Sequence, residues 1–349
     1  MSILSLVHKV MDRRPLARAE AHAAFTEIMH GEVPPVHIAA LLTALRVKGE
    51  TIDEITGAAE ALLGAAVPMK THRKPLVDTC GTGGDGKSVF NVSTTAAFVV
   101  AGAGFAVAKH GNRSVSSVCG SADVVEALGL PLESDPKLVE ECLQKVGLAS
   151  LFAPAFHPSM KYAMPIRKEL GTRTIFNLLG PLCNPARPTA QIVGVYDPVW
   201  LKPLAEVLGR LGCEEACIVH GQGEDEIVLT GPTDVAELHQ GQVHLVTWRP
   251  EDFGYKTQPQ AHETSLKPPE GARRLLEVLN GRLGTHRNIV CMNAGAAIRA
   301  AARTKAGGSK TISLKEAAIL AQKSIDSKAA LRKFEELKRF LTPEDDLHG

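Results

Sequence analysis

The chain has 349 residues, 44% hydrophobic and 22% charged, with a formal net charge of +1. This is globular composition for one large domain or two of ordinary size, and it carries no basic field of the kind nucleic-acid binders need. Seven cysteines, odd in number and without a CxxC pair, argue against a disulfide framework or a zinc site and fit reduced thiols.

The N-terminus, "MSILSLVHKVMDRRPL", becomes charged too soon for a signal peptide, and no apolar run is long enough to span a bilayer; a cytoplasmic protein is expected. Residues 1–72 read as helices only. "LARAEAHAAFTEIMHGE" has helical apolar spacing and stops at Gly31; "PPVHIAALLTALRVKGE" opens on prolines and closes at Gly49. "TIDEITGAAEALLGAA" starts with Thr51 and Glu54 as a capping box. About 70 residues make a thin core alone, so this part is expected to share an interface, a dimer contact included.

From 73 to 349 the pattern becomes α/β. "PLVDTC" and "FAVAKH" read as strands, "TTAAFVVAGAG" and "SADVVEALGL" as helices. "AQIVGVYD" and "EEACIVHG" are further strands around the helix "VWLKPLAEVLGRLG", and "DEIVLTG" reads as a turn and a strand. Alternation of this kind implies a mostly parallel central sheet. A returning helical segment is expected near 160–185, broken at Gly180–Pro181; 232–270 reads as hairpins and loop, and the end as helical.

Four stretches carry chemistry. "GTGGDGKSVFNVST", 81–94, puts glycines between a strand and a helix, where bare backbone N–H groups and a helix N-terminus make an anion site. It is one residue short of a Walker loop and is not GxGxxG. "KHGNRSVSS", 109–117, adds two obligate cations, Lys109 and Arg113, and three serine hydroxyls at another strand end. "GQGEDEIVL" offers Glu224, Asp225 and Glu226, oxygen ligands suited to a hard cation bridging to phosphate. Arg167, on a helix with Lys168 and Arg173, has the planar fork that best meets a carboxylate. Taken alone, the last two also read as solvated surface charge.

Read together, "GTGGDG" at 81, "NVST" at 91, "KHGNR" at 109, "SSVCGSAD" at 116, "RKELGTRTIFNLLGPLCNP" at 167 and "EDEI" at 224 come in the order and spacing of the anthranilate phosphoribosyltransferases. The chain resembles that family over essentially its whole length. The resemblance implies a small helical domain plus a large α/β domain, a homodimer through the helical part, and transfer of phosphoribosyl from phosphoribosyl pyrophosphate to the amine of anthranilate in tryptophan biosynthesis. It implies that Gly81, Gly84, Asp85, Val89, Asn91, Val92, Ser93, Thr94, Lys109, His110, Gly111, Asn112, Arg113, Ser114, Val115, Ser116, Ser117 and Ser121 hold the phosphoribosyl pyrophosphate. Ser93, Asp225 and Glu226 would bind Mg²⁺, expected as two ions with the pyrophosphate. Gly81, Asn112 and Arg167 would contact anthranilate, with Arg167 facing its carboxylate. Val89 stands where the family usually has Thr, which removes one hydroxyl contact. His110 is a site residue with no acid–base role assigned, and no other catalytic residue is named. Two other readings share the fold: a pyrimidine nucleoside phosphorylase, against which "KHGNR" and the Asp225–Glu226 pair speak, and a non-catalytic nucleic-acid binder, against which the net charge speaks.

Overall fold

The computed structural model describes residues 2–83, 90–113, 119–132, 135–259 and 266–342. Four helices come first: α1 (Ile3–Met11), α2 (Arg18–His30), α3 (Pro35–Lys48) and α4 (Ile52–Gly64). Local chemistry sets their ends. Pro35 opens α3, where its missing N–H costs nothing. Thr51 and Glu54 form the expected capping box at α4. Gly31 closes α2 in the left-handed conformation. Glu54 is fully buried and also accepts the Leu16 N–H at 2.9 Å and the Lys48 ammonium at 2.8 Å, so one carboxylate ties three segments together.

The α/β part runs β1 (Leu76–Gly81), α5 (Val92–Gly102), β2 (Ala106–Gly111), α6 (Ser121–Ala127), α7 (Pro136–Val146), β3 (Leu148–Phe152), α8 (Ala153–Phe156), α9 (Met164–Leu170), α10 (Phe176–Leu179) and β4 (Ala190–Gly194). It continues through α11 (Leu201–Arg210), β5 (Glu215–Gly221), β6 (Thr233–His239), β7 (Gln242–Trp248), α12 (Pro268–Leu279), α13 (Thr285–Arg303), α14 (Leu314–Asp326) and α15 (Ala329–Leu341). The strands form one sheet in the order β3-β2-β1-β4-β5-β6-β7, parallel through β5 and antiparallel beyond it. The chain builds outward from β1 to β3, then crosses to place β4 on the other side of β1. Such a switch opens a crevice at the carboxyl ends of β1 and β4.

Alternate strand residues feed opposite faces. Val77, Val107 and Ile192 join α5 and α12 to α15 in one apolar cluster. Val193, Ile218 and Ala236 join α11 on the other face. The N-terminal helices do not close on themselves: their cluster continues through Ala163, Ile166, Phe176 and Leu179 into α11 and the sheet.

Two sequence expectations change. The pattern over 136–152 names no element, yet α7 and β3 lie there. The strand expected in "DEIVLTG" does not form. Ile227, Val228 and Leu229 are buried, but Asn293 of α13 takes both the Ile227 N–H (3.1 Å) and its carbonyl (2.9 Å), so no strand neighbour is needed.

Candidate active site

The crevice is roofed by the acidic loop. Gly221 and Glu224 exchange two backbone hydrogen bonds of 2.9 Å around Gln222 and Gly223, both at positive φ, which makes a tight two-residue turn. The chain then passes over the ends of β1 and β4. A Cβ on Gly194 would collide with the Asp225 carbonyl, and one on Gly81 would meet Asp225 Oδ2 at 2.6 Å. Both strands therefore have to end in glycine for Asp225 to lie there. Asp225 Oδ2 accepts the Gly83 N–H at 3.0 Å, which joins the acidic loop to the glycine turn. Thr82 braces the turn: its N–H reaches the Gly194 carbonyl at 2.9 Å, and its hydroxyl accepts the Tyr196 N–H at 3.1 Å.

Beside this turn lies the N-terminus of α5, with Asn91 at its cap and Val92, Ser93 and Thr94 in its first turn. Thr94 Oγ1 is buried without a hydrogen-bond partner among the described residues. The Val92 side chain is in the core, so only its backbone can serve a ligand. Lys109, 5% exposed, reaches across from β2 and donates to the Thr79 carbonyl at 2.6 Å and more weakly to Ser93 Oγ at 3.4 Å. An ammonium has three donors, so one is left for a ligand. A buried cation under a helix N-terminus is an anion site on two independent grounds.

His110, next along β2, faces a different wall. Its Nδ1 lies 3.1 Å from the Gly180 carbonyl; a carbonyl only accepts, so the proton is assigned to Nδ1. Its Nε2 is buried and has no hydrogen-bond partner among the described residues. Burial, with a smaller push from His157, lowers its pKa to about 3, so the ring is neutral at pH 7 with a bare acceptor at Nε2. The His157 ring packs against it at 5.2 Å between centroids. Burial brings His157 to about 4, against a smaller opposing pull from the Cys183 backbone. Arg167, half-buried on α9, lies over the Phe176 ring at 5.2 Å and has no carboxylate partner among the described residues; burial lowers its pKa. Phe176 and Gly180 bracket α10, which therefore brings Arg167 and His110 to one wall.

The rest of the "KHGNR" stretch leaves the strand at Gly111, where a Cβ would strike Ser121 Oγ. Asn112 is exposed; its Oδ1 takes the Arg113 N–H at 2.8 Å, and its carbonyl accepts from Ser121 Oγ at 3.3 Å. Arg113 is turned onto α6, paired with Glu126 at 2.8 and 2.9 Å and with Asp123 at 3.0 Å. It would have to exchange those partners to serve a phosphate. Gly84, Asp85, Val89, Ser114, Val115, Ser116 and Ser117 lie outside the described residues. The structure adds four groups that the sequence did not single out: Asp78, His157, the Gly180 carbonyl and Asn184.

Among the described residues, no three His, Cys, Asp or Glu side chains converge as a metal cage. Asp225, Glu226 and Ser93 offer oxygen donors only, which suits a hard divalent cation that completes its shell with phosphate oxygens.

A family model described as "Glycosyl transferase family, a/b domain" matches residues 73–331, and one described as "Glycosyl transferase family, helical bundle domain" matches residues 4–66. The anthranilate phosphoribosyltransferase of Symbiobacterium thermophilum is 49% identical over 337 residues, covering 96% of this chain and 97% of that protein. The chain belongs to the anthranilate phosphoribosyltransferase family. Solved anthranilate phosphoribosyltransferases agree. The Thermus thermophilus enzyme superposes with a TM-score of 0.89 at 44% identity, covering 96% of this chain and 98% of its own. The Saccharomyces cerevisiae enzyme, in complex with PRPP and Mg, gives 0.85 at 29% identity over 97% of both chains. The full-length likeness decides among the three readings of the sequence in favour of the phosphoribosyltransferase.

Proposed function

We propose that this protein transfers the phosphoribosyl group from phosphoribosyl pyrophosphate to the amine of anthranilate, releasing pyrophosphate, at the crevice over β1, β2 and β4. The observation that carries this reading is Lys109. It lies between the glycine turn's strand and Ser93, and so joins the two donor-rich motifs into one anion cradle. Gly81, Gly84, Asp85, Val89, Asn91 to Thr94, Lys109 to Ser117 and Ser121 hold the phosphates and ribose, without the hydroxyl that Val89 lacks. Ser93, Asp225 and Glu226 would hold magnesium, as two ions with the pyrophosphate, and the metal would supply positive charge against the leaving group. Gly81, Asn112 and Arg167 receive anthranilate. Residues 1–72, with 160–185, serve as the helical unit and the homodimer contact, and 73–349 as the phosphoribosyl pyrophosphate unit, in a cytoplasmic enzyme.

The bond from ribose C1 to the pyrophosphate oxygen breaks and one from C1 to the anthranilate nitrogen forms. Charge concentrates on the departing pyrophosphate, where Lys109 and the α5 N-terminus already point. Donors placed on charge that develops in the transition state raise the rate, and losing one typically costs ~10²–10³-fold. Arg167 pairs with the carboxylate and turns the amine inward. The amine is neutral at pH 7, so it needs no activating base. His110 Nε2 accepts a hydrogen bond from it; with a pKa of about 3 the ring orients the amine and is too weak a base to carry its proton away, so the proton shed as the C–N bond forms passes to water or the departing pyrophosphate.

The direct test mixes the protein with anthranilate, phosphoribosyl pyrophosphate and Mg²⁺ and follows anthranilate fluorescence. Magnesium-dependent loss of signal is expected; a steady signal, with phosphorolysis of thymidine instead, would support the nucleoside phosphorylase.

A further inference from the structure

Strands β1 and β2 pair over only two residue pairs, Leu76↔Ala106 and Val77↔Val107. On their other sides both stay paired much further, β1 with β4 to Gly81↔Gly194 and β2 with β3 to Gly111↔Phe152. The ladder between the two strands stops midway, directly below the crevice. Backbone groups freed inside a protein need partners. Here side chains supply them. Asp78 Oδ1 accepts the His110 N–H at 3.2 Å. Asn184 Nδ2 donates to Asp78 Oδ2 and to the Ala108 carbonyl, both at 2.8 Å, while its Oδ1 accepts the Ala186 N–H at 2.9 Å. Lys109 Nζ takes the Thr79 carbonyl. Asp78 is 0% and Asn184 2% exposed.

We propose that Asp78 and Asn184 are positioning residues: a buried polar wedge that bridges β1 and β2 where their ladder stops and so aims Lys109 and His110 into the crevice. The inference rests on the transferase reading of that crevice. A carboxylate suits the gap because two donors aim at it and it only accepts. Asparagine at 78 would turn its own N–H toward one of them. Neither residue needs to touch substrate; both act through the residues of β2.

The test is Asp78→Asn, with Leu337→Ala on α15 as a core truncation outside the crevice. Misplacing catalytic groups by about 1 Å costs on the order of 10²-fold. Asp78→Asn should therefore lower kcat about 10- to 100-fold while KM for both substrates stays within about threefold. Amide exchange over 106–113 should quicken in Asp78→Asn while exchange over 190–194 does not change. Leu337→Ala should lower the melting temperature and keep kcat. If kcat in Asp78→Asn holds within about twofold, or falls no more than in Leu337→Ala, the wedge is overturned. So it is if exchange over 106–113 is unchanged. Should Asp78→Asn not fold, Asn184→Ser carries the test, with a smaller fall in kcat expected and a normal kcat overturning the idea. Wild type is assayed alongside. Its failure to consume anthranilate would sink the transferase reading, while the exchange measurement still decides the wedge.

Discussion

Arg167 is a half-buried guanidinium lying on an aromatic ring, with no acid partner among the described residues. Such a group is costly unless a ligand anion completes it. Arg167→Ala is expected to raise KM for anthranilate about 10- to 100-fold, the worth of one charge-assisted pair, and to leave KM for phosphoribosyl pyrophosphate nearly unchanged; equal effects on both substrates would remove it from the acceptor site. Arg167→Lys should restore little, because an ammonium lacks the planar fork. At this scale the sequence shows charges placed among glycines, so Lys109 and Asp225 were legible. Asp78, Asn184 and His157 were not. Each reads locally as an ordinary core polar residue, and the bond from Asn184 to Asp78 spans 106 residues. Arg113 shows the converse: the motif marks it for phosphate, but Glu126 and Asp123 on the next helix engage it.

The acidic loop can reach the crevice only because β1 and β4 end in glycine. Gly194→Ala is expected to push Asp225 off the strand ends and reduce magnesium-dependent turnover by at least about tenfold, with far-UV circular dichroism unchanged, since a mis-set site loses rate before the sheet loses structure. Asp225→Asn combined with Glu226→Gln should abolish magnesium-dependent turnover; unchanged metal dependence in that variant would end the metal role of the pair. Elements with chemical punctuation were readable: the Thr51–Glu54 box and Pro35 mark helices that form where expected. Elements without it were not. "LASLF" is a short apolar run that period alone cannot assign, and Asn293 removes the strand from "DEIVL" through a contact 66 residues away.

Across the whole molecule, buried neutral imidazoles set a pH dependence. Folded His110 and His157 hold pKa values of about 3 and about 4, below the usual 6.5. The unfolded chain therefore takes up protons that the native state refuses. Their contribution is intact above about pH 7 and is lost as pH falls below 6.5, together on the order of 4 kcal/mol between pH 7 and 5. Carboxyls whose pKa burial raises, such as the buried Asp78 and the half-buried Glu50, act in the opposite sense. The clean measurement is thus a difference: His157→Gln should lose about half as much of this imidazole contribution as wild type in urea titrations at pH 7 and 5. A second expectation concerns assembly. Helices α1 and α3 pack together and leave Leu4, Met11, Val36 and Val47 exposed. Sedimentation should give twice the chain mass, and Val36→Glu with Val47→Glu should halve it; an unchanged mass in the variant would move the dimer contact elsewhere.

The apolar cluster of α1–α4 runs on through Ile166 and Phe176, the residues that carry the wall under Arg167, whereas the phosphate cradle stands on the sheet and α5. On the proposed reading, the acceptor's carboxylate and the ribose carbon are therefore held from two different hydrophobic clusters. Their separation is fixed at a seam between clusters. Loosening the helical body, by heat or by a substitution far from either substrate, should slow the encounter of the two reactants before it weakens the grip on either one.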